Sequence, residues 1–393
     1  MIALPEVSIA QTNAATSSVG DDLDREVFGF LGLAVDALNF EVLLRAIYKA
    51  SSVAAPYLIS TPNVNFLVTS RIHPYFRESL LRSNLCIADG MPLIWIAKFL
   101  RIPIRERVTG ADLFEILKRG EGAPKRLRVF LFGGAEGLAS VVADKLNLSN
   151  GGLECVGSVN PGFGSIEEMS RREVIDAINA SGADLLAVFL GAEKAQTWLL
   201  RNHHRIKIPL RAQFGAAINF EAGTVKRAPA LLRNSGFEWM WRIKEEPYLW
   251  RRYWRDGKVL TKLFLTKVLP LAFHSSLHGA KRVQSEDLEI VARAADRAIE
   301  IALSGPAIAR HVDRAAAEFR SALALQRDLV VDCSNLSWID QRFIGLLLML
   351  RKELVSKKLE LRFANVPRDM RRLFGLNGFE FLLAEPQCLV IPR

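Results

Sequence analysis

The sequence predicts an α/β protein with a doubly wound, mostly parallel sheet, a basic amphipathic helical appendage and a second, smaller α/β domain. Three observations carry this. Short apolar runs that stop at glycine or at Thr-Pro-Asn recur through residues 57–215, with helical patterns between them. Apolar strands spaced by helices imply a parallel sheet covered on both faces. Residues 223–262 then concentrate Arg, Lys and Trp, and from Asp287 a fresh alternation of strand and helix patterns begins.

The strand patterns fall at Tyr57–Ser60, Leu85–Ala88, Val129–Phe132, Leu153–Ser158, Leu185–Leu190 and Leu210–Phe214. A helix is expected over Val64–Ser70, after the Thr61-Pro62-Asn63 turn. Residues 1–25, rich in Ala, Ser, Thr and Asp, read as a disordered tail. The large α/β body is expected over 26–230, the appendage over 231–274, a linker over 275–286 and the small domain over 287–393. In the last, strands are expected at Ala298–Leu303, Leu329–Cys333 and Leu359–Ala364. Helices are expected at Ile308–Ala324, Phe343–Ser356 and Arg368–Phe374.

The chain has 393 residues, room for two cores, and a formal net charge of +10. Such a charge points to anionic partners: a nucleotide, a lipid headgroup or nucleic acid. Cys86, Cys155, Cys333 and Cys388 are scattered without a CxxC pair, which argues against a zinc site or a disulfide framework and fits a reducing cytoplasm. No secretory signal stands at the start. The most membrane-like stretch, Leu263–Phe273, contains Lys267 and Pro270 and is far short of the roughly 20 apolar residues needed to cross a bilayer.

Ligands of doubly wound sheets bind beyond the carboxyl ends of the strands. The residues there are Thr61, Asn63, Asp89, Gly90, Gly133, Gly134, Gly191 and Gly215. In Ile87-Ala88-Asp89-Gly90-Met91-Pro92, Asp89 can accept a proton from a sugar hydroxyl or cap the next helix. In Arg105–Phe114, Thr109 can cap a helix with Asp112 in its first turn. That helix start, with Arg107 nearby, also suits a phosphate. Phe132-Gly133-Gly134-Ala135-Glu136 is either a phosphate- or sugar-binding turn or a plain tight turn; it is neither GxGxxG nor a P-loop. The six histidines show no metal-ligand spacing, and no DxD pair ends a strand. Diphosphate departure without a metal needs cationic side chains.

The segment from Lys226 to Lys267 supplies them, with eleven Lys/Arg against four Asp/Glu. If Pro247 opens a helix, Arg251, Arg255, Lys258 and Lys262 share one side. Trp250, Tyr253, Trp254, Leu260 and Phe264 share another. Such a helix can lie on an anionic membrane surface or grip a diphosphate.

Taken together, Thr61–Asn63, Ala88–Gly90, Arg107–Phe114, Leu131–Gly134, Asn160–Gly164, Gly223–Pro229 and the tail Ser235–Tyr253 resemble the WecG/TagA/CpsF family of bacterial glycosyltransferases. The resemblance covers roughly Phe28 to Gly257. It implies inverting, metal-independent transfer of a hexose or N-acetylhexosamine from a UDP-sugar to a polyprenyl-diphosphate-linked acceptor, in exopolysaccharide or other cell-surface glycan synthesis. No cofactor is implied. Asp89 matches the proposed general base, and Thr61 and Asn63 match pocket residues. Arg107, Thr109, Gly133, Gly134 and Gln196 join them as candidates for substrate binding. Arg227, Arg233, Arg242, Arg251 and Arg252 lie in the appendage, which in the family closes over the site and touches the membrane. The expected location is cytoplasmic, peripheral on the inner face of the cell membrane.

Two motifs depart from the family: Gly191–Gln196, where Glu193 stands for its Pro, and Phe214–Phe220, where Asn219 stands for its Asp. They motivate an alternative reading, a catalytically silent sugar-nucleotide sensor or scaffold. Nucleic acid is not an expected partner, because the positive charge follows a glycosyltransferase-like body. Leu329–Leu354 and Leu361–Phe379 resemble a STAS domain. Arg342 stands where signalling members carry a phosphorylatable serine, so a binding or assembly module with a protein partner, lacking that switch, is expected.

Overall fold

The computed structural model describes residues 20–53, 55–275, 287–294 and 298–384. It opens on a hairpin that the sequence pattern does not announce, β1 (Val27–Phe30) and β2 (Leu33–Asp36). All eight residues are buried, so the in–out alternation that marks a half-exposed strand is missing. Its two-residue turn is Leu31-Gly32, with φ of 54° and 85°, where Asn-Gly would be the usual signal.

The six expected strands all form: β3 (Tyr57–Ser60), β4 (Leu85–Cys86), β5 (Leu127–Gly133), β6 (Leu153–Val159), β7 (Leu185–Phe189) and β8 (Leu210–Gln213). They make one sheet in the order β4-β3-β8-β7-β5-β6, parallel throughout. Apolar cores lie on both faces. One gathers Leu113, Phe114, Leu131, Ala187 and Phe214; the other gathers Phe132, Leu186, Val188 and Trp198. Phe132 stacks on Trp198 at 4.2 Å.

The small domain is a four-stranded sheet in the order β12-β11-β10-β9. The strands are β9 (Glu289–Ala294), β10 (Ala298–Ala307), β11 (Asp328–Ile339) and β12 (Leu361–Ala364). Helices Val312–Ala324, Gln341–Ser356 and Arg368–Leu376 accompany it. The edge strand β9 was not foreseen.

Helix Gln341–Ser356 does not end at its own domain. It lies on the β1–β2 hairpin, and Val27, Ala34 and Leu81 belong to the same apolar cluster as Phe343, Ile344 and Leu347. Arg342 donates to the Val27 carbonyl at 3.3 Å. The hairpin tip is held as well, by Gly32 N–H donating to Asn377 O at 2.7 Å. Buried and half-buried charges line the same seam. Arg25 pairs with Asp22 at 2.6 Å and Asp36 at 2.8 Å, Lys352 with Asp22 at 2.8 Å, and Arg351 with Glu78 at 3.0 Å. The face of the STAS-like domain next to Arg342 therefore already has a partner within the same chain.

Residues 21–25 correct part of the expected tail. Asp22–Asp24 form a 3-10 turn capped by Asp21, with Leu23 buried. Residues 1–19, and 276–286 of the expected linker, lie outside the described residues.

The appendage consists of helices Ala230–Asn234, Glu238–Glu245 and Trp250–Leu263. The last runs on through a π-turn at Phe264–Val268 into Leu269–His274. Pro270 has no N–H to offer the helix ladder, and the wider turn before it accommodates that loss. Buried Asp256 accepts from Asn65 Nδ2 at 3.1 Å, pinning the appendage to helix Val64–Ile72. Lys267 reaches the other way, donating to Gly375 O at 2.5 Å. Among the described residues no helix is long and apolar enough to cross a membrane.

Candidate active site

Asp89 follows β4 at the sheet's carboxyl edge. Its N–H donates to Pro62 O at 2.8 Å, tying it to the Thr61-Pro62-Asn63 turn after β3. Gly90, with φ 105°, turns the chain into helix Met91–Phe99 and is itself the cap residue, without a side-chain cap bond. The Asp89 carboxylate is thus not spent on capping. Asn63 is: its Oδ1 accepts from the N–H groups of Asn65 (3.0 Å) and Phe66 (3.2 Å), while its side chain hydrogen-bonds Asp89. Thr61 is buried, beside Gly110.

Thr109 forms a full capping box with Asp112 on helix Gly110–Arg119. The capping reading of Thr109 therefore holds. Asp112 does more than cap: Arg227 pairs with its Oδ1, Arg233 lies 3.9 Å from the same oxygen, and Arg107 lies 3.5 Å from Oδ2. Arg107 also donates to Glu238 at 3.1 Å. Three arginines and three carboxylates, Asp89, Asp112 and Glu238, thus gather where the appendage meets the strand ends.

The electrostatics follow from that crowding. The Asp89 carboxyl is pushed up to about 7, first by burial and then by Glu238, with Asp112 adding; Arg107 and the Asn63 bond oppose. Asp112 goes the other way. Burial pushes it up, but the Thr109 bond and the Arg227 and Arg107 charges outweigh burial and hold it below the usual carboxylate range. A base near 7 is half ionised at neutral pH and strong enough to take a proton.

A second arginine group lies farther along the appendage. Arg242 pairs with Glu246 at 2.7 Å and stands over the Phe220 ring. Arg252 stands 5.0 Å over Tyr253. The Nε atoms of Arg227, Arg233, Arg242 and Arg252 are all buried without a hydrogen-bond partner. Unpaired buried donors are costly, and these four lie on the appendage and the segment that leads into it.

A family model described as the glycosyl transferase WecG/TagA/CpsF family matches residues 28–272. The chain belongs to this family. It is a glycosyltransferase, and residues 290–384 match a model described as Mlab, STAS domain. Two relatives carry the name N-acetylglucosaminyldiphosphoundecaprenol N-acetyl-beta-D-mannosaminyltransferase. The one from Bacillus spizizenii is 26% identical over 223 residues, 57% of this chain and 84% of the relative. The one from Bacillus subtilis is 23% identical over 195 residues, 50% of this chain and 74% of the relative.

Within this glycosyltransferase, two expected site residues fall elsewhere. Gln196 is fully buried, donating to Ser60 Oγ at 3.0 Å and accepting from Ser79 Oγ at 3.3 Å. It braces Ser60 at the end of β3 and is closed off from solvent. Arg251 is exposed, 5.9 Å over Trp250, apart from the arginine groups. Gly133 and Gly134 do sit at the carboxyl edge, with φ of 96° and 88°. Gly133 ends β5 and Gly134 follows it, four strands from β4, so roughly 19 Å from Asp89 at the usual strand spacing. A β-carbon on Gly134 would meet Ile218 at 2.9 Å.

Sequence reasoning missed Asp112 as an arginine acceptor and Glu238 altogether. Asp112 announced only its cap, and Glu238 is one acid in a basic run; its partner Arg107 lies 131 positions away. A cavity of about 590 Å³ continues from Arg227 and Ala111 between helices Gly110–Arg119 and Leu138–Leu148. Among the described residues no group of three or more His, Cys, Asp or Glu is placed to hold a metal ion.

Proposed function

We propose that this glycosyltransferase moves a hexose or N-acetylhexosamine from a UDP-sugar to a polyprenyl-diphosphate-linked sugar, with inversion at the anomeric carbon. The observation that carries it is the gathering of Asp89, Asp112 and Glu238 with Arg107, Arg227 and Arg233 where the appendage meets the strand ends. The two relatives are named for acceptors of this lipid-linked class.

The acceptor hydroxyl oxygen attacks the anomeric carbon and its proton passes to Asp89. The bond from that carbon to the UDP oxygen breaks, and negative charge grows on the departing diphosphate. The guanidinium groups of Arg227, Arg233, Arg242 and Arg252 stand ready for it, since donors fixed before the reaction need no reorganisation. Arg107, already divided between Asp112 and Glu238, orders the near end of that set.

The appendage also supports placement on a bilayer. Leu231, Trp239, Met240, Tyr248, Trp250 and Trp254 are exposed on it, at 42–78%, with Arg251 and Lys258 among them. Aromatic groups seat in the headgroup region, and each basic residue adds about 1 kcal/mol on an anionic surface. The expected stripe is divided: Leu260 and Phe264 turn inward, Phe264 packing on Phe99 at 5.5 Å.

The test is a panel of UDP-sugars with a lipid-linked acceptor extract, run on the wild-type chain and on Asp89→Asn. Acceptor-dependent sugar transfer that is lost in Asp89→Asn supports the reading. Nucleotide binding without turnover by the wild-type chain rejects it in favour of a sensor.

A further inference from the structure

Asp89 shares its surroundings with a nearby cation, Arg107, yet the two do not form the pair that simple attraction would make. Arg107 Nη1 goes to Glu238 at 3.1 Å, and Nη2 lies 3.5 Å from Asp112. The two partners of the closer bond are largely covered, with side chains 13% and 17% exposed. They come from different parts of the chain. Arg107 stands before helix Gly110–Arg119 on the catalytic body, whereas Glu238 opens an appendage helix. A close approach fixes the same junction. A β-carbon on Gly236 would lie 2.8 Å from Met91 Cβ and 2.9 Å from Trp95, so the appendage passes tightly over the helix that Asp89 and Gly90 lead into.

If the appendage lifts, Arg107 loses Glu238 and can turn to Asp89. An arginine against an aspartate lowers the carboxylate's basicity by about 1–3 pK units, and an aspartate so paired is a poor proton acceptor. With the appendage down, Arg107 is engaged and Asp89 faces a negative neighbour in a covered site.

We infer that Glu238 is a positioning residue of the transfer reaction: brought in by the appendage, it holds Arg107 off Asp89 and leaves that carboxylate free to take the acceptor's proton. The inference rests on the proposed function and states how the appendage enters its chemistry. The groups facing Asp89 are Glu238 from the appendage, Arg107 and Asp112 from the segment around residue 109, and the Asn63 side chain from the turn after β3. Removing the Glu238 charge acts twice in the same direction. It takes away a negative neighbour and releases Arg107.

The experiment compares full-length wild type, Glu238→Gln and Glu238→Asp, using the UDP-sugar that wild type consumes and a lipid-linked acceptor extract. In Glu238→Gln the acid limb of kcat/KM is expected to move down by about one pH unit. Its kcat is expected to fall about tenfold while KM for the UDP-sugar changes less. Glu238→Asp is expected to recover most of the wild-type profile. A readout independent of turnover is the titration of Asp89 in protein labelled with 13C at aspartate, its signal identified by its loss in Asp89→Asn. The wild-type midpoint near 7 is expected to drop in Glu238→Gln. An unmoved midpoint overturns the inference, and so does a loss of activity with no displacement of the acid limb. If wild type transfers no sugar, the functional reading fails while the Asp89 midpoint still decides the role of Glu238.

Discussion

A β-carbon on Gly345 would stand 1.9 Å from the carbonyl oxygen of Val27. Helix Gln341–Ser356 thus lies backbone against backbone on β1, and neither side has a flexible side chain to give way. In an ordinary helix interior, alanine in place of glycine gains about 1 kcal/mol. Gly345→Ala is expected to do the reverse, costing about 1–3 kcal/mol by overpacking. Gly375→Ala is the control, since its β-carbon would meet nothing within 4 Å; it is expected to be neutral or to stabilise by up to about 1 kcal/mol. The denaturant midpoint is expected to fall in Gly345→Ala and to stay level or rise in Gly375→Ala.

Asp89 should show its burial in both rate and stability. Turnover needs the ionised carboxylate, so kcat/KM is expected to fall as pH drops below about 7. Between its unfolded value near 4 and about 7, the folded chain holds the proton and the unfolded chain has released it. Stability from this group is therefore greatest below pH 4 and is lost as pH rises through 7. Asp89→Asn is expected to reduce turnover about 10²–10⁴-fold and yet to melt higher than wild type at pH 8. Equal melting points at pH 8 would contradict the burial described here.

Arg251 and Arg252 are neighbours with different surroundings. Arg252→Ala is expected to lower kcat/KM by about 10²-fold, because its Nε is buried without a hydrogen-bond partner and the proposed reaction assigns it to the departing diphosphate. Arg251→Ala is expected to leave turnover of a detergent-dispersed acceptor close to wild type and to weaken recovery on vesicles containing anionic lipid. Measuring both variants in both assays separates the two roles.

Gln196→Ala is expected to act on stability. Ser60 and Ser79 each lose one bond in a closed network and keep another, to Ser83 Oγ and to the Phe76 carbonyl, which costs about 1 kcal/mol. KM for the UDP-sugar should stay near the wild-type value. A large rise in KM without loss of stability would return Gln196 to the pocket.

Much of this was legible in the chain because its signals are local. Each of the six strands is an apolar run with a polar or glycine stop, and Thr109 with Asp112 writes a cap within four residues. Asp89 stands out because a carboxylate before glycine at a strand end has few structural uses. What escaped depends on distance or on uniform burial. The hairpin residues are all covered, so they carry no alternation, and Leu31-Gly32 is an unusual turn pair. Gln196 sits beside a motif but its amide is closed in between Ser60 and Ser79, which no spacing reveals. Glu238 gains its meaning only from Arg107, and Arg342 only from Val27.

The hairpin β1–β2 has one more consequence. It is wedged between the two halves, touching the sheet body's helices on one side and Gln341–Ser356 on the other. A shortened version ending at His274 would strip the covering from Val27, Ala34 and Leu81 and leave Arg25 and Asp22 without Lys352. Such a fragment would be sticky and poorly behaved, so the enzyme is best expressed and assayed uncut.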